Sequence, residues 1–210
     1  MEVDMTGRRR FLGLLEWGVA VQPFPGEGVS GDRHAVVRRE EGALVAVIDA
    51  LGHGAAAETT AKRASGILER HAHEPLPVLI RRCHDALLGD RGVVMSLATI
   101  DGSRGTMAWA GVGNVSTTLL RSGDGVPVRR ERLVQPAGIV GAQLPALRAS
   151  AVRLSPGDVL LFATDGIRDG FGEQVSPGGD IQELAERAIL DYATRTDDAL
   201  VLIVRYLGGR

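Results

Sequence analysis

The sequence predicts an α+β fold in which two antiparallel sheets pack face to face with helices outside, a four-layer αββα sandwich. Three observations predict it. Short β-prone runs separated by Gly and Pro clusters fill most of the 210 residues. Three longer stretches carry one-face helical spacing instead. With 44% hydrophobic residues, the chain can build a core large enough to bury several faces.

Residues 1–14 read as a solvated N-terminal arm, because Arg8-Arg9-Arg10 is a charge run and Phe11–Leu15 is too short for a secretory apolar core. Residues 15–210 then form a single domain, since no linker or internal repeat divides them. Strands are expected at Glu16–Gln22, Arg33–Arg38 and Ala43–Asp49, the first ended by Pro23-Phe24-Pro25-Gly26. A helix follows over Ala55–His71, where Ala57, Ala61, Ala64 and Leu68 share a face, and a second over Pro77–Leu88. Further strands are expected at Val93–Ile100, Thr106–Val112, Ser116–Arg121, Val126–Val134, Ala149–Leu154 and Val159–Ala163. Turns at Gly123-Asp124-Gly125 and Ser155-Pro156-Gly157-Asp158 punctuate them. The third helix, Ile181–Ala193, lines up Ile181, Leu184, Ala188 and Tyr192, with Asp180 and Glu183 at capping-box spacing. Ala199–Tyr206 is the last strand.

A net charge of −2 with interspersed signs gives no footprint for nucleic acid. No apolar run reaches the ~18 residues of a membrane span, and a lone cysteine, Cys83, suits a reducing compartment. A cytoplasmic protein without nucleic-acid or membrane partners is expected, and a monomer.

Three acids sit where apolar runs meet polar turns. Asp49 and Asp165 follow apolar strands, whereas Asp197 precedes one. Antiparallel pairing sets a strand's N-terminal end beside its neighbour's C-terminal end, so the three can converge on one rim. Clustered carboxylates repel unless cations join them, and an all-oxygen ligand set selects Mg²⁺ or Mn²⁺ over zinc. The turn Asp49-Ala50-Leu51-Gly52-His53-Gly54 lets backbone pass close to a metal or anion. Acids flanking strands are also ordinary turn residues, and for any one of them alone that reading stands.

Six motifs in order weigh against it: Ser30-Gly31-Asp32, Asp49-x-x-Gly52-His53-Gly54, Ala110-Gly111-Val112-Gly113-Asn114, Leu154-Ser155-Pro156-Gly157-Asp158, Thr164-Asp165-Gly166-Ile167 and Asp197-Asp198. Together they resemble the metal-dependent protein phosphatases of type 2C, in the bacterial branch that includes sporulation and stress-response phosphatases. The resemblance implies two Mn²⁺ or Mg²⁺ ions, with Asp49 bridging them, Ala50 giving its carbonyl, Asp165 and Asp197 completing the ligand set of the second metal, and Asp32 acting through water. It implies hydrolysis of phosphoserine or phosphothreonine without a phosphoenzyme. His53 either donates a proton to the leaving oxygen or shapes the turn. Asp198 reads as a supporting residue or a strand-start turn residue. Asn114 departs from the Asp that many members carry for a third, weaker metal. Eukaryotic members also clamp phosphate with an upstream arginine; Gln22–Ser30 contains none, and Arg33 can point the other way.

Within the family the chain is most similar to the stand-alone stress-response members of the RsbX type, which implies phosphorylated STAS-domain proteins of a stressosome as substrates. A phosphatase of anti-sigma-factor antagonists and an inactive phosphoprotein-binding adaptor are the rival readings. Ala137–Pro145, apolar and glycine-bearing, suits docking to a folded partner or packing on the chain's own core.

Other signals carry less. Gly26-Glu27-Gly28-Val29-Ser30-Gly31 fits a dinucleotide fingerprint in letters, but prolines precede it and a strand follows. His71, His73, Cys83 and His84 lack zinc-ligand spacing, and neither Ser96 nor Ser116 sits in a nucleophile elbow.

Overall fold

The structure, a computed structural model, describes residues 2–3, 10–123, 128–176 and 178–209. Its strands are β1 (Glu2–Val3), β2 (Arg10–Leu12), β3 (Leu15–Gln22), β4 (Asp32–Arg39), β5 (Gly42–Ala50), β6 (Val93–Asp101), β7 (Thr106–Val112), β8 (Ser116–Arg121), β9 (Arg129–Arg132), β10 (Ser150–Arg153), β11 (Val159–Ala163) and β12 (Ala199–Tyr206). The helices are α1 (Gly54–Arg70), α2 (Leu76–Ala86), α3 (Phe171–Gln174) and α4 (Ile181–Tyr192). One sheet runs β1-β2-β3-β12-β11-β8-β9, the other β10-β7-β6-β5-β4, and every neighbouring pair is antiparallel. The expected strand Val126–Val134 begins outside the described residues and is β9 within them. Arg8, Arg9 and the centre of the Gly123-Asp124-Gly125 turn also lie outside.

Alternation along the strands makes three cores. Leu44, Ala46 and Ile48 of β5 face α1 and α2, where Ala57, Ala61, Ala64, Leu79 and Ile80 cover them. Ala43, Val45 and Val47 face the other way, between the sheets, against Leu160 and Phe162 of β11 and Leu200, Leu202 and Val204 of β12. Val159, Leu161, Val201 and Ile203 meet α4 on the far side. Strands covered on both faces need no polar alternation, which is why β5, β11 and β12 read as continuous apolar runs. Asp180 caps α4, its carboxylate accepting from the backbone N–H of Gln182 and Glu183. Cys83 is buried in the helical core, and that burial pushes its thiol up to about 12.

One expectation is corrected. Arg10–Leu12 is not solvated arm but β2, paired with β3. Leu12 is buried, and the Arg10 guanidinium lies 4.9 Å over the Trp17 ring and donates to Gln182. An arginine can bury its stem on an aromatic face and keep its charge. Of the two readings of Ala137–Pro145, packing on the chain's own core holds at Val140, while Ala137, Ala142 and Gln143 are exposed. Val140 is fully buried, exchanges backbone hydrogen bonds of 2.9 and 2.8 Å with Val93, and is followed by Gly141, which donates to His84 Nδ1.

Candidate metal centre

Asp32 opens β4, Asp49 is the last residue but one of β5, and the register sets them directly opposite. Asp49 shares a face with Val45 and Val47, so this pair points into the space between the sheets, at its edge. From the other sheet, Thr164 and Asp165 follow β11 and Asp197-Asp198 precede β12. Five acids thus ring one mouth of the sandwich.

Two side chains stitch the sheets together there. Thr164 Oγ1 accepts the Leu200 N–H at 2.9 Å and gives its proton to Asp32 Oδ2 at 2.7 Å. Asp198, 3% exposed, accepts the Phe24 N–H on Oδ1 and the Gly31 N–H on Oδ2, both at 2.8 Å. With both oxygens engaged, Asp198 is an anchor for residues 24–31, in keeping with a supporting place beside Asp197. Gly31 fits because a Cβ there would come within 2.7 Å of Ala57 Cβ and 3.3 Å of the Ala50 carbonyl oxygen. Asp198→Ala leaves two inward N–H groups without a charged partner. We expect a loss of about 3 kcal/mol, read as a lower urea midpoint at unchanged slope.

Burial raises Asp32 to about 8; the Thr164 hydrogen bond lowers it, and Asp198, Asp165 and Asp197 raise it further. Burial likewise raises Asp49 to about 9, with Asp32 and then Asp165, Asp197 and Asp198 adding repulsion. Asp197 is raised by burial and by Asp165 and Asp198, against its hydrogen bond from the Asp198 N–H and the pull of His53. Each carboxylate is therefore within reach of the others' charge. Asp165 is exposed and its Oδ2 accepts from Asn114 Nδ2 at 2.9 Å, so Asn114 holds Asp165 as a donor.

His53 lies in the turn before α1, exposed, stacked on Phe24 and hydrogen-bonded to Glu27. Gly52 and Gly54 have φ of 82° and 74°, the left-handed conformation that this turn demands. Arg33 lines a cleft of about 370 Å³ together with Asp32, Ser30, Val29 and Glu58. Arg33 pairs with Ile48, whose side chain faces the helical core, so it stands on the opposite face of β4 from Asp32, the direction that an extended strand allows.

The donor set is carboxylate and carbonyl oxygen, which suits magnesium or manganese. Among the described residues no three acidic or histidine side chains close on a single point. Such ions keep several waters and take one or two carboxylates each, so a ring of acids around a mouth fits them. Sequence reasoning missed Thr164, Phe24 and Glu27. The hydroxyl ending the apolar run Val159–Ala163 is a signal for Thr164; Glu27 gives none, being 26 residues from His53.

The family model for Stage II sporulation protein E (SpoIIE) matches residues 39–207. The chain belongs to this family. The phosphoserine phosphatase RsbX of Bacillus subtilis (strain 168) is 21% identical over 85% of this chain and 88% of its own length. A crystal structure of RsbX with magnesium superimposes with a TM-score of 0.82 at 20% identity, covering 94% of this chain and 98% of that one. A chain solved in work on the bacterial stressosome as a modular system adapted to control secondary-messenger signalling gives 0.82 at 29% identity, over 91% and 99%. The catalytic domain of the serine/threonine phosphatase PstP, in complex with two manganese ions, gives 0.69 at 16% identity over 92% and 98%. The two-sheet sandwich expected of a SpoIIE-family chain is the fold these structures share, and both expected ions occur in them.

Proposed function

We propose that this SpoIIE-family chain, a PP2C-type serine/threonine phosphatase, dephosphorylates STAS-domain proteins of a stressosome and so restrains a general stress response. The observation that carries it is the ring of acids at the mouth of a sandwich that matches RsbX over nearly its whole length. Similarity to the stressosome chain supports the substrate class.

In this reading Asp49, the Ala50 carbonyl, Asp165 and Asp197 hold two divalent cations, with Asp32 acting through water. When bound, the ions neutralise phosphoryl oxygens and make water acidic enough to attack. The chain's own residues orient the rest. Thr164 fixes Asp32, Asn114 fixes Asp165, and Asp198 holds the backbone of residues 24–31. His53 gives a proton to the departing serine or threonine oxygen, an alkoxide too basic to leave unaided.

The mouth is open, with Asp165 and His53 exposed to solvent. An open rim that grips a phosphoryl group recognises little else, so selectivity must come from surface contacts with a folded partner. kcat/KM for a phosphorylated STAS-domain protein is expected to exceed that for its isolated phosphopeptide by about 100-fold or more. Equal values would overturn the substrate assignment, and binding without manganese-dependent turnover would favour an adaptor.

A further inference from the structure

Residues 23–31 form a strap across the turn that leads into α1. Asp198 holds its backbone at Phe24 and Gly31, and a tight turn closes it where the Glu27 N–H donates to the Phe24 carbonyl at 2.9 Å. Two strap side chains end on His53. Phe24 stacks on the imidazole with centroids 4.1 Å apart and planes 9° from parallel. Glu27 Oε1 lies 3.2 Å from His53 Nδ1. The stack sets the plane of the ring, and the hydrogen bond sets how the ring is turned within it. His53 is also near enough to Asp197 for its charge to be felt there.

We propose that Glu27 is a positioning residue for dephosphorylation: it takes the Nδ1 proton of His53 as a hydrogen bond and thereby presents Nε2 to the leaving oxygen. This rests on the reading of His53 as proton donor given above. As the P–Oγ bond breaks, Nε2 passes its proton to serine or threonine Oγ and the ring is reprotonated from solvent. Phosphorus gains its new oxygen from water, whose surplus proton goes to solvent. The charges and atoms balance without any group beyond water.

A purely structural role is the competing account. The Glu27 carboxylate comes within 3.0 Å of where a Cβ on Gly54 would stand, beside the first turn of α1. That helix has no side-chain cap and no acid in its first turn, so Glu27 also supplies negative charge at its N-terminus. The experiment must separate the two.

p-Nitrophenyl phosphate releases a stable anion, whereas a phosphoserine peptide releases an alkoxide that needs a proton. The full chain with manganese is assayed on both, as wild type, Glu27→Ala, Glu27→Gln, His53→Ala and Glu27→Ala/His53→Ala. Glu27→Ala is expected to lower kcat on the phosphopeptide at least about tenfold more than on the aryl ester. Glu27→Gln, whose amide oxygen still accepts from Nδ1, restores most of that differential loss. In the His53→Ala background, Glu27→Ala adds no further differential. Equal losses on both substrates, or a differential that persists without His53, overturn the positioning role. If His53→Ala shifts the substrate ratio and Glu27→Ala does not, the positioning role fails alone. If His53→Ala leaves the ratio at the wild-type value, the proton-donor reading fails and the positioning role with it.

Discussion

Asp49→Asn is expected to cut turnover by about 10³-fold or more while raising the melting temperature of the metal-free protein. Asp49 lies in the mouth between the sheets, and burial with four neighbouring acids raises it to about 9. The folded chain then binds a proton that the unfolded chain, at the ordinary 3.8, releases. Folded protein holds more protons throughout that window, so stability falls as pH rises from about 4 to about 9. Asparagine keeps the shape of the protonated acid without the proton. The gain at pH 8 is of order 2 kcal/mol, or roughly 5 °C, and shrinks as pH drops towards 4. Calorimetry in chelator from pH 5 to 8.5 reads it. A variant that melts with or below wild type at pH 8 would show that Asp49 is not held among like charges. Asp165→Asn, at an exposed carboxylate, should lose turnover with little change in melting.

Chelation is expected to stop turnover by about 10³-fold or more, and added Mn²⁺ or Mg²⁺ to restore it. The acids of the mouth offer only oxygen, which holds magnesium or manganese loosely enough for a chelator to remove it. Loading has a second signature that needs no substrate. Asp32 and Asp49, raised to about 8 and about 9 by burial and mutual repulsion, carry protons near neutrality. A cation must displace them. Titrating Mg²⁺ into metal-free protein in weak buffer at pH 7.5 should therefore acidify it, and Asp49→Asn should release fewer protons. Full activity in chelator, or loading without acidification, would contradict the site.

Much of this molecule was legible in its sequence, for identifiable reasons. Strands β5, β11 and β12 announce themselves as apolar runs because each is covered on both faces. The acids at their ends could be brought to one rim by antiparallel pairing alone. What was not legible depends on contacts between distant residues. β2 is three residues long and carries no period; its place is set by Arg10 on Trp17, a contact made only once β3 has folded beside it. α3, at four residues, is equally short of pattern. The segment around Val140 was left open between docking and packing, because Val93 and His84, which bind it, are distant in sequence. Asp198 was left open as a turn residue or a support, and its two backbone partners lie more than 160 residues away.

The acids of the mouth belong to different layers. Asp32 and Asp49 ride on the five-stranded sheet, and Asp165 and Asp197 border strands of the seven-stranded one. The separation of those layers is fixed well below the mouth, by Val45, Met107, Phe162 and Leu200 interleaved between the sheets. That hydrocarbon filling acts as a gauge block: thickening or thinning it by a methylene moves one pair of carboxylates relative to the other. If these acids hold the ions as proposed, preference between divalent ions of different radius is set partly by side chains that never meet an ion.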